Sequence, residues 1–169
     1  MPWDRVRLQP PNAARAMAGG LVGAVLVTGL TYLGLATNVM QWNVIDVVAR
    51  AISFGEYVPT NSANYVWGIA FYAVFVLVAA PLCYAYWAYS YLPGSTVMRG
   101  FLYGLFLWFL MELLMMPLVG AGVFDRLGPN TAAQIISQFV LWSIYGVALG
   151  LIAGPQELWR QTTQQERPA

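Results

Sequence analysis

Four uninterrupted apolar segments dominate the sequence, and each is long enough to cross the hydrocarbon core of a membrane. They cover approximately residues 13–36, 64–91, 97–120 and 131–153, and a crossing helix needs about 20 residues. Backbone amides in lipid must be satisfied internally, so segments of this kind form helices. The sequence therefore predicts an all-α fold, an integral membrane four-helix bundle that forms a single transmembrane domain over residues 1–169.

Short polar motifs mark the ends of these segments. Gly154 and Pro155 follow the last segment, and capping residues precede three of the segments: Asn12, Ser95 or Thr96, and Asn130. The first segment follows several arginines, as a secretory signal would. It is longer than the apolar part of a signal peptide and no A-x-A site follows it, so we interpret it as a retained helix.

The distribution of arginine predicts the orientation of the bundle. Six arginines fall on the side of both termini and of the turn between the second and third segments: Arg5, Arg7, Arg15, Arg99, Arg160 and Arg167. The two opposite loops hold only Arg50 and Arg126. The positive-inside rule then places both termini, including a tail over residues 155–169, in the cytoplasm. The expected location is the cytoplasmic (inner) membrane of a prokaryote.

The first outer loop contains a further helical pattern over approximately residues 40–53. Its apolar residues recur at helical spacing, at Trp42, Ile45, Val48, Ala49 and Ile52, and its polar residues form the opposite stripe, at Asn43, Asp46, Arg50 and Ser53. Asp46 and Arg50 are spaced to form an ion pair. The pattern predicts a short amphipathic helix, which either lies on the membrane surface or caps the bundle.

The charge inventory excludes several classes of function. Only 9% of the residues are charged, the net charge is +1, and there is no histidine. No basic field is available for nucleic acid, and no imidazole is available for haem, copper, di-iron or a Ser-His-Asp triad. The single Cys83 permits neither an internal disulfide nor a CxxC motif. We therefore expect no enzymatic activity and no cofactor held by the chain's own ligands.

One carboxylate, Glu112, lies deep within an apolar segment. Counting residues from the segment ends places Gln138, Thr28 and Tyr72 at a similar depth, with Gln134 slightly nearer the surface. A carboxylate at mid-membrane costs about 2.5–3.5 kcal/mol, so we expect a protonated acid that donates to Gln138 or Tyr72. This polar cluster serves either as a proton-accepting or ligand-binding pocket or as interhelical hydrogen-bond glue, worth about 0.6 kcal/mol per contact.

Rows of small residues predict close helix packing. They lie in the fourth, first and third segments, at Gly146, Gly150 and Gly154, at Gly20 and Ala24, and at Gly100 and Gly104. These rows either close the bundle or dock it onto another membrane protein.

Aromatic residues crowd the end of the second segment, at Tyr84, Tyr86, Trp87, Tyr89 and Tyr91. An interfacial belt explains most of them, and a bound lipid, quinone or carotenoid is the alternative. Pro81 is expected to kink the second segment, and Pro117, with Gly120 and Gly122, to loosen the end of the third.

The third and fourth segments carry a recognisable set of motifs. They are Gly100-Phe-Leu-Tyr-Gly104, Leu107-Trp108, and Met116-Pro117 through Gly120, Gly122 and Phe124, followed by Tyr145-Gly146 and Gly150. This set of motifs resembles small four-span bacterial and archaeal membrane proteins of unknown function. The resemblance implies a four-helix fold and no established activity. Those proteins often carry a histidine early in the last span, where this chain has Gln134 and Gln138.

Two functional hypotheses follow. The first is a non-catalytic accessory subunit of a larger energy-transducing membrane complex, respiratory or photosynthetic, with membrane lipids and other integral membrane subunits as partners. It depends on the absence of metal ligands, the small-residue rows and the dense aromatics. The alternative is a stand-alone four-helix carrier or channel for a proton, an ion or a lipid-like molecule, which would use Glu112.

Overall fold

The computed structural model describes residues 11–40, 42–127 and 131–154. Five helices run through these ranges: α1 (Ala13–Ala36), α2 (Val44–Ile52), α3 (Ala63–Tyr91), α4 (Thr96–Leu118) and α5 (Thr131–Ala153). All except α2 are long and apolar enough to cross a membrane. The predicted all-α four-helix membrane bundle is therefore confirmed. Asn130, the tail over residues 155–169 and four of the counted arginines lie outside the described residues.

Two of the predicted caps are present. The Asn12 side chain accepts a hydrogen bond from the amide of Ala14 at 2.8 Å, and Ser95 accepts one from Met98 at 3.3 Å. Helix α4 ends at Leu118, two residues before the predicted boundary, and Gly120 then adopts a left-handed φ of +81°. Pro117 cannot donate a backbone hydrogen bond, so the last turn of α4 is irregular, as its sequence predicted.

Small residues bring the helices of the bundle into close contact. Helix α5 packs against both α1 and α4. A side chain on Gly100 would collide with the backbone of Gly146 and Gly150, and one on Gly104 with the backbone of Trp142. A side chain on Gly20 would collide with Pro81 of α3. The predicted rows of small residues are thus used inside the bundle.

Helix α3 changes its hydrogen-bonding pattern around Pro81. A π turn over Phe75–Ala79 precedes the proline and another over Tyr84–Ala88 follows it. The amide of Ala80 bonds to Phe75, and Pro81 has no N–H to offer the carbonyl of Val76. The hydroxyl of Tyr145 on α5 donates to that carbonyl at 2.6 Å. A side chain from another helix therefore stabilises the irregular turn.

The short helix α2 packs on the bundle. Val47 and Ala49 are fully buried, and a side chain on Gly68 of α3 would collide with the backbone of Ala49. This packing fits the predicted cap over the bundle, and the position of α2 relative to the membrane surface stays a prediction. In place of the expected ion pair with Asp46, the Arg50 guanidinium lies over the ring of Trp42, 4.2 Å from its centroid.

The aromatic group at the end of α3 divides into two sets. Tyr86, Trp87 and Tyr91 are exposed and fit the predicted interfacial belt. Tyr84 and Tyr89 are buried, because they face α4 and its neighbours: Tyr84 packs against Tyr103 with ring centroids 5.2 Å apart, and the Arg99 guanidinium covers Tyr89 at 4.6 Å. The belt can therefore account for three of the five aromatic residues, whereas Tyr84 and Tyr89 pack inside the bundle.

Candidate functional site

Glu112 lies in an irregular part of α4, at the end of the bundle that α2 covers, which we call the α2 end. It belongs to a π turn over Met111–Met115 and is fully buried. The amide of Met116 bonds to Met111, and Pro117 follows with no N–H of its own. The pattern repeats that of α3, where a proline also stands six residues after the first residue of a π turn. Such turns occur often at functional sites because they re-aim side chains.

A second carboxylate, Asp125, is also fully buried at this end of the bundle. It lies in a short 3-10 turn, Val123–Asp125, between α4 and α5. Phe124 and Asp125 both have left-handed backbones, with φ of +54° and +48°, a conformation that costs about 1–3 kcal/mol for residues other than glycine. The ring of Phe124 is held by Trp108 at 5.8 Å and Phe109 at 6.1 Å. The turn that holds the buried Asp125 is therefore anchored by the packing of Phe124.

Asp125 is a site residue that the sequence analysis missed. By sequence it falls in the loop that also holds Arg126, where an aspartate is normally exposed. The only signal is the surrounding composition, since Gly120 and Gly122 allow a tight turn and Phe124 offers an apolar anchor. Burial raises the pKa of the Asp125 carboxyl above its ordinary value of 3.8.

The register of α4 against α5 brings Gln134 and Gln138 to the level of Glu112. Gly100 faces Gly146 and Gly150, and the two helices are antiparallel. Continuing this register toward the α2 end places Glu112 opposite the turn between Gln134 and Gln138. Both glutamines are fully buried. The predicted proximity of Glu112 to Gln138 at one depth, with Gln134 close by, therefore agrees with the packing of the two helices.

The polar atoms of this group have few hydrogen bonds. Both carboxyl oxygens of Glu112 and of Asp125, and both amide atoms of Gln138, have no hydrogen-bond partner within the described ranges. Asp125 lies close enough to Glu112 for their charges to interact, and the Trp108 indole approaches Glu112 without reaching hydrogen-bonding geometry. We call Glu112, Asp125 and Gln138 the acidic site. Its oxygens are available to a proton or to a cation.

Thr28 and Tyr72 form a separate pair between α1 and α3. Their hydroxyl oxygens are 3.5 Å apart, so the prediction that they share a depth agrees with a direct contact. The predicted hydrogen bond from Glu112 to Gln138 or Tyr72 is wrong, because none of the Glu112 oxygens has such a partner. Tyr72 instead borders an apolar cavity that separates the α2 ends of α3 and α4.

The fold and this site define a class: a four-helix integral membrane protein with a buried acidic site between its last two helices. Residues 11–164 match the family of unknown function DUF6789, and the chain belongs to that family. No curated protein and no solved structure matches the chain. The comparisons therefore assign no activity to the chain.

Proposed function

We propose that this protein is a small stand-alone carrier or channel that takes up a proton or a small monovalent cation at the acidic site. The observation that carries the proposal is the complete burial of Glu112 and Asp125 with no hydrogen-bond partner for either carboxyl in the described part of the chain. Ionisable residues inside membrane spans are expensive and usually functional. The site lies in a prokaryotic inner-membrane protein whose termini we place in the cytoplasm.

Physical chemistry limits what such a site can hold. A buried carboxylate without a donor or counter-charge costs several kcal/mol. Two of them close together require protons, a cation or both as compensation. The Gln138 oxygen adds a neutral ligand of the hard type that small cations prefer. Binding and release at this site would exchange one compensating charge for another, which is the elementary step of a carrier.

The accessory-subunit hypothesis stays a prediction, but part of its basis has changed. It depended on small-residue rows that could dock another membrane subunit. Those rows pack α1, α3, α4 and α5 against one another, so they are not free for a partner. Mild-detergent purification of the tagged chain followed by mass spectrometry tests the hypothesis, and co-purifying membrane subunits would support it. That the chain is not an enzyme also stays a prediction.

The proposal is tested by ion flux into liposomes that contain the purified protein. We expect the parent to pass protons or Na⁺ under an imposed membrane potential, and Glu112→Gln to abolish the flux while the variant stays folded. An amide keeps the size of the side chain, but it neither releases a proton nor compensates a cation. Repeating the assay with and without Na⁺, while a pH-sensitive dye reports protons, identifies the ion.

The matched control is Glu56→Gln, which makes the same change at an exposed position and should leave the flux unchanged. A parent that conducts no better than protein-free liposomes would contradict the proposal, as would a Glu112→Gln variant with full activity. If Glu112 is only structural, Glu112→Gln is silent and Glu112→Leu costs about 0.6–1.7 kcal/mol.

A further inference from the structure

The end of the bundle opposite the α2 end holds an arginine without a counter-charge. We call it the turn end, because residues 92–95 join α3 to α4 there. Arg99 lies in the second turn of α4 and forms no ion pair with any residue that the structure describes. The acidic residues of the described ranges all belong to the α2 end, at Asp46, Glu56, Glu112 and Asp125. An anion for Arg99 therefore has to come from outside the described part of the chain.

The Arg99 side chain is held in place but stays accessible. Its guanidinium lies over the ring of Tyr89, 4.6 Å from the centroid, and that ring is only 1% exposed. The Nε atom is buried, whereas the two terminal nitrogens are not among the buried polar atoms and no described residue accepts a hydrogen bond from them. A guanidinium stacked on a fixed ring presents its planar fork with little further loss of side-chain freedom.

The position of Arg99 corresponds to the interfacial layer of a membrane. Tyr89 lies between Trp87 and Tyr91 in α3, and both of these neighbours are more than half exposed. The ring of Trp87 also contacts Phe106 of α4, with centroids 6.4 Å apart. Exposed tryptophan and tyrosine of a membrane span mark the level of the lipid headgroups. Arg99 therefore lies at the depth where lipid phosphates are found.

The start of α4 adds positive character at the same level. Its first amides, those of Thr96 and Val97, have no carbonyl within the helix to bond, and no acidic residue stands in its first turn. A long helical side chain points back toward the N-terminus, so the Arg99 guanidinium lies over this first turn. An arginine is unfavourable there because it adds to the positive end of the helix dipole. An anion would compensate both charges together.

We propose that Arg99 binds the phosphate of an anionic phospholipid, in the leaflet at the turn end, with the acyl chains lying against the exposed aromatic residues of α3. A guanidinium fork matches two phosphate oxygens at once. The proposal concerns lipid binding alone and is independent of ion movement at the acidic site.

Charge and position select the lipid. A zwitterionic head brings an ammonium group close to Arg99 and to the positive end of α4, whereas the head of phosphatidylglycerol is uncharged apart from its phosphate. Basic residues at a membrane surface attract anionic lipids for the same electrostatic reason. A free phosphate ion lacks the acyl chains that would contact Trp87 and Tyr91. We therefore expect binding of the lipid and not of the free ion.

Thermal stabilisation of the purified full-length protein in neutral detergent tests the proposal, since a ligand that binds the folded state raises Tm. The probes are dioleoylphosphatidylglycerol, dioleoylphosphatidylcholine and inorganic phosphate, of which the two lipids share their acyl chains. We expect phosphatidylglycerol to raise the Tm of the parent, phosphatidylcholine to raise it much less, and inorganic phosphate to leave it unchanged. Equal stabilisation by the two lipids, or by phosphatidylglycerol and inorganic phosphate, would overturn the proposal.

Variants locate the binding. Arg99→Gln should weaken phosphatidylglycerol binding about tenfold or more, the loss expected for charge-assisted hydrogen bonds. The matched control is Arg15→Gln, which removes the same charge from an exposed position in the first turn of α1 at the turn end. It should change the affinity by less than about twofold, because solvent and salt screen an exposed charge.

Arg99→Lys keeps the charge but loses the planar fork and should bind with intermediate affinity. It keeps the test decisive if Arg99→Gln does not fold. Equal affinities of Arg99→Gln and Arg15→Gln would show a general attraction between charges and would refute the site. An Arg99→Lys variant with the affinity of the parent would refute it as well.

Discussion

Asp125 illustrates at the residue scale how tertiary contacts override local preference. Its carboxyl is fully buried and its φ is +48°, although an aspartate in a loop normally faces water. The aromatic contacts of Phe124 with Trp108 and Phe109 hold the strained turn in place. The backbone strain and the buried carboxyl both lower stability, and features of this kind concentrate at functional sites.

The buried carboxyl makes the stability of the protein depend on pH. Because burial raises the pKa of Asp125 in the folded state, the folded protein binds more protons than the unfolded chain between the two pKa values. Stability should therefore fall as pH rises from about 3.8 through the raised pKa, and should stay constant above it. Asp125→Asn removes this dependence. At pH 7 we expect its Tm to exceed that of the parent by about 2–4 °C, the shift for about 1 kcal/mol in a chain of this size.

Melting curves of the parent and of Asp125→Asn from pH 3.5 to pH 8, at one fixed salt concentration, measure this difference. Glu56→Gln, which changes an exposed carboxylate, should follow the parent over the whole range. Parallel curves for the parent and Asp125→Asn would show that the Asp125 carboxyl is solvated.

Helix packing at the element scale depends on glycines at the contact of α4 with α5. Gly150 lies against the carbonyl of Thr96 and the backbone of Gly100. Gly150→Leu places a large side chain where two backbones touch, so we expect a loss of about 1–3 kcal/mol or more, up to failure to fold. Size-exclusion chromatography and melting curves of the detergent-purified variant measure how much of it is folded and how stable it is.

Gly29 on α1 provides the matched control, because a side chain there would meet no atom within 4 Å. Gly29→Leu should leave stability unchanged or raise it by up to about 1 kcal/mol, since glycine is a poor helix former. A Gly150→Leu variant as stable as Gly29→Leu would mean that the two helices separate in the membrane.

At the scale of the whole molecule, the arginine distribution predicts one orientation in the membrane. Reporter fusions after Ala169 and at Thr60 in the loop between α2 and α3 should report opposite sides, with Ala169 in the cytoplasm. Each site is fused to two reporters, one active only in the cytoplasm and one active only outside. Every fusion site should then give a signal with one of the two reporters. Signals from the same side would contradict the four-span topology.

The sequence by itself determined the class of fold. The fold class depends on local properties: segment length, the near absence of charge within the segments, and capping residues such as Asn12 and Ser95. A long apolar segment in lipid has no alternative to a helix, because its backbone amides must be satisfied internally. The same counting placed Gln138 at the depth of Glu112 and Gln134 slightly nearer the surface, because the depth of a residue depends only on its distance from the helix end.

Only the tertiary structure decided which faces meet and which polar groups are compensated. The turn that holds Asp125 is anchored by contacts of Phe124 with Trp108 and Phe109 of α4. The irregular turn before Pro81 is contacted by Tyr145, 69 residues away from Val76. The position of α2 depends on close contact between Ala49 and Gly68. The hydrophobic pattern along a membrane span is nearly uniform. It therefore indicates which residues can be buried between helices, but it does not identify the helix that buries them.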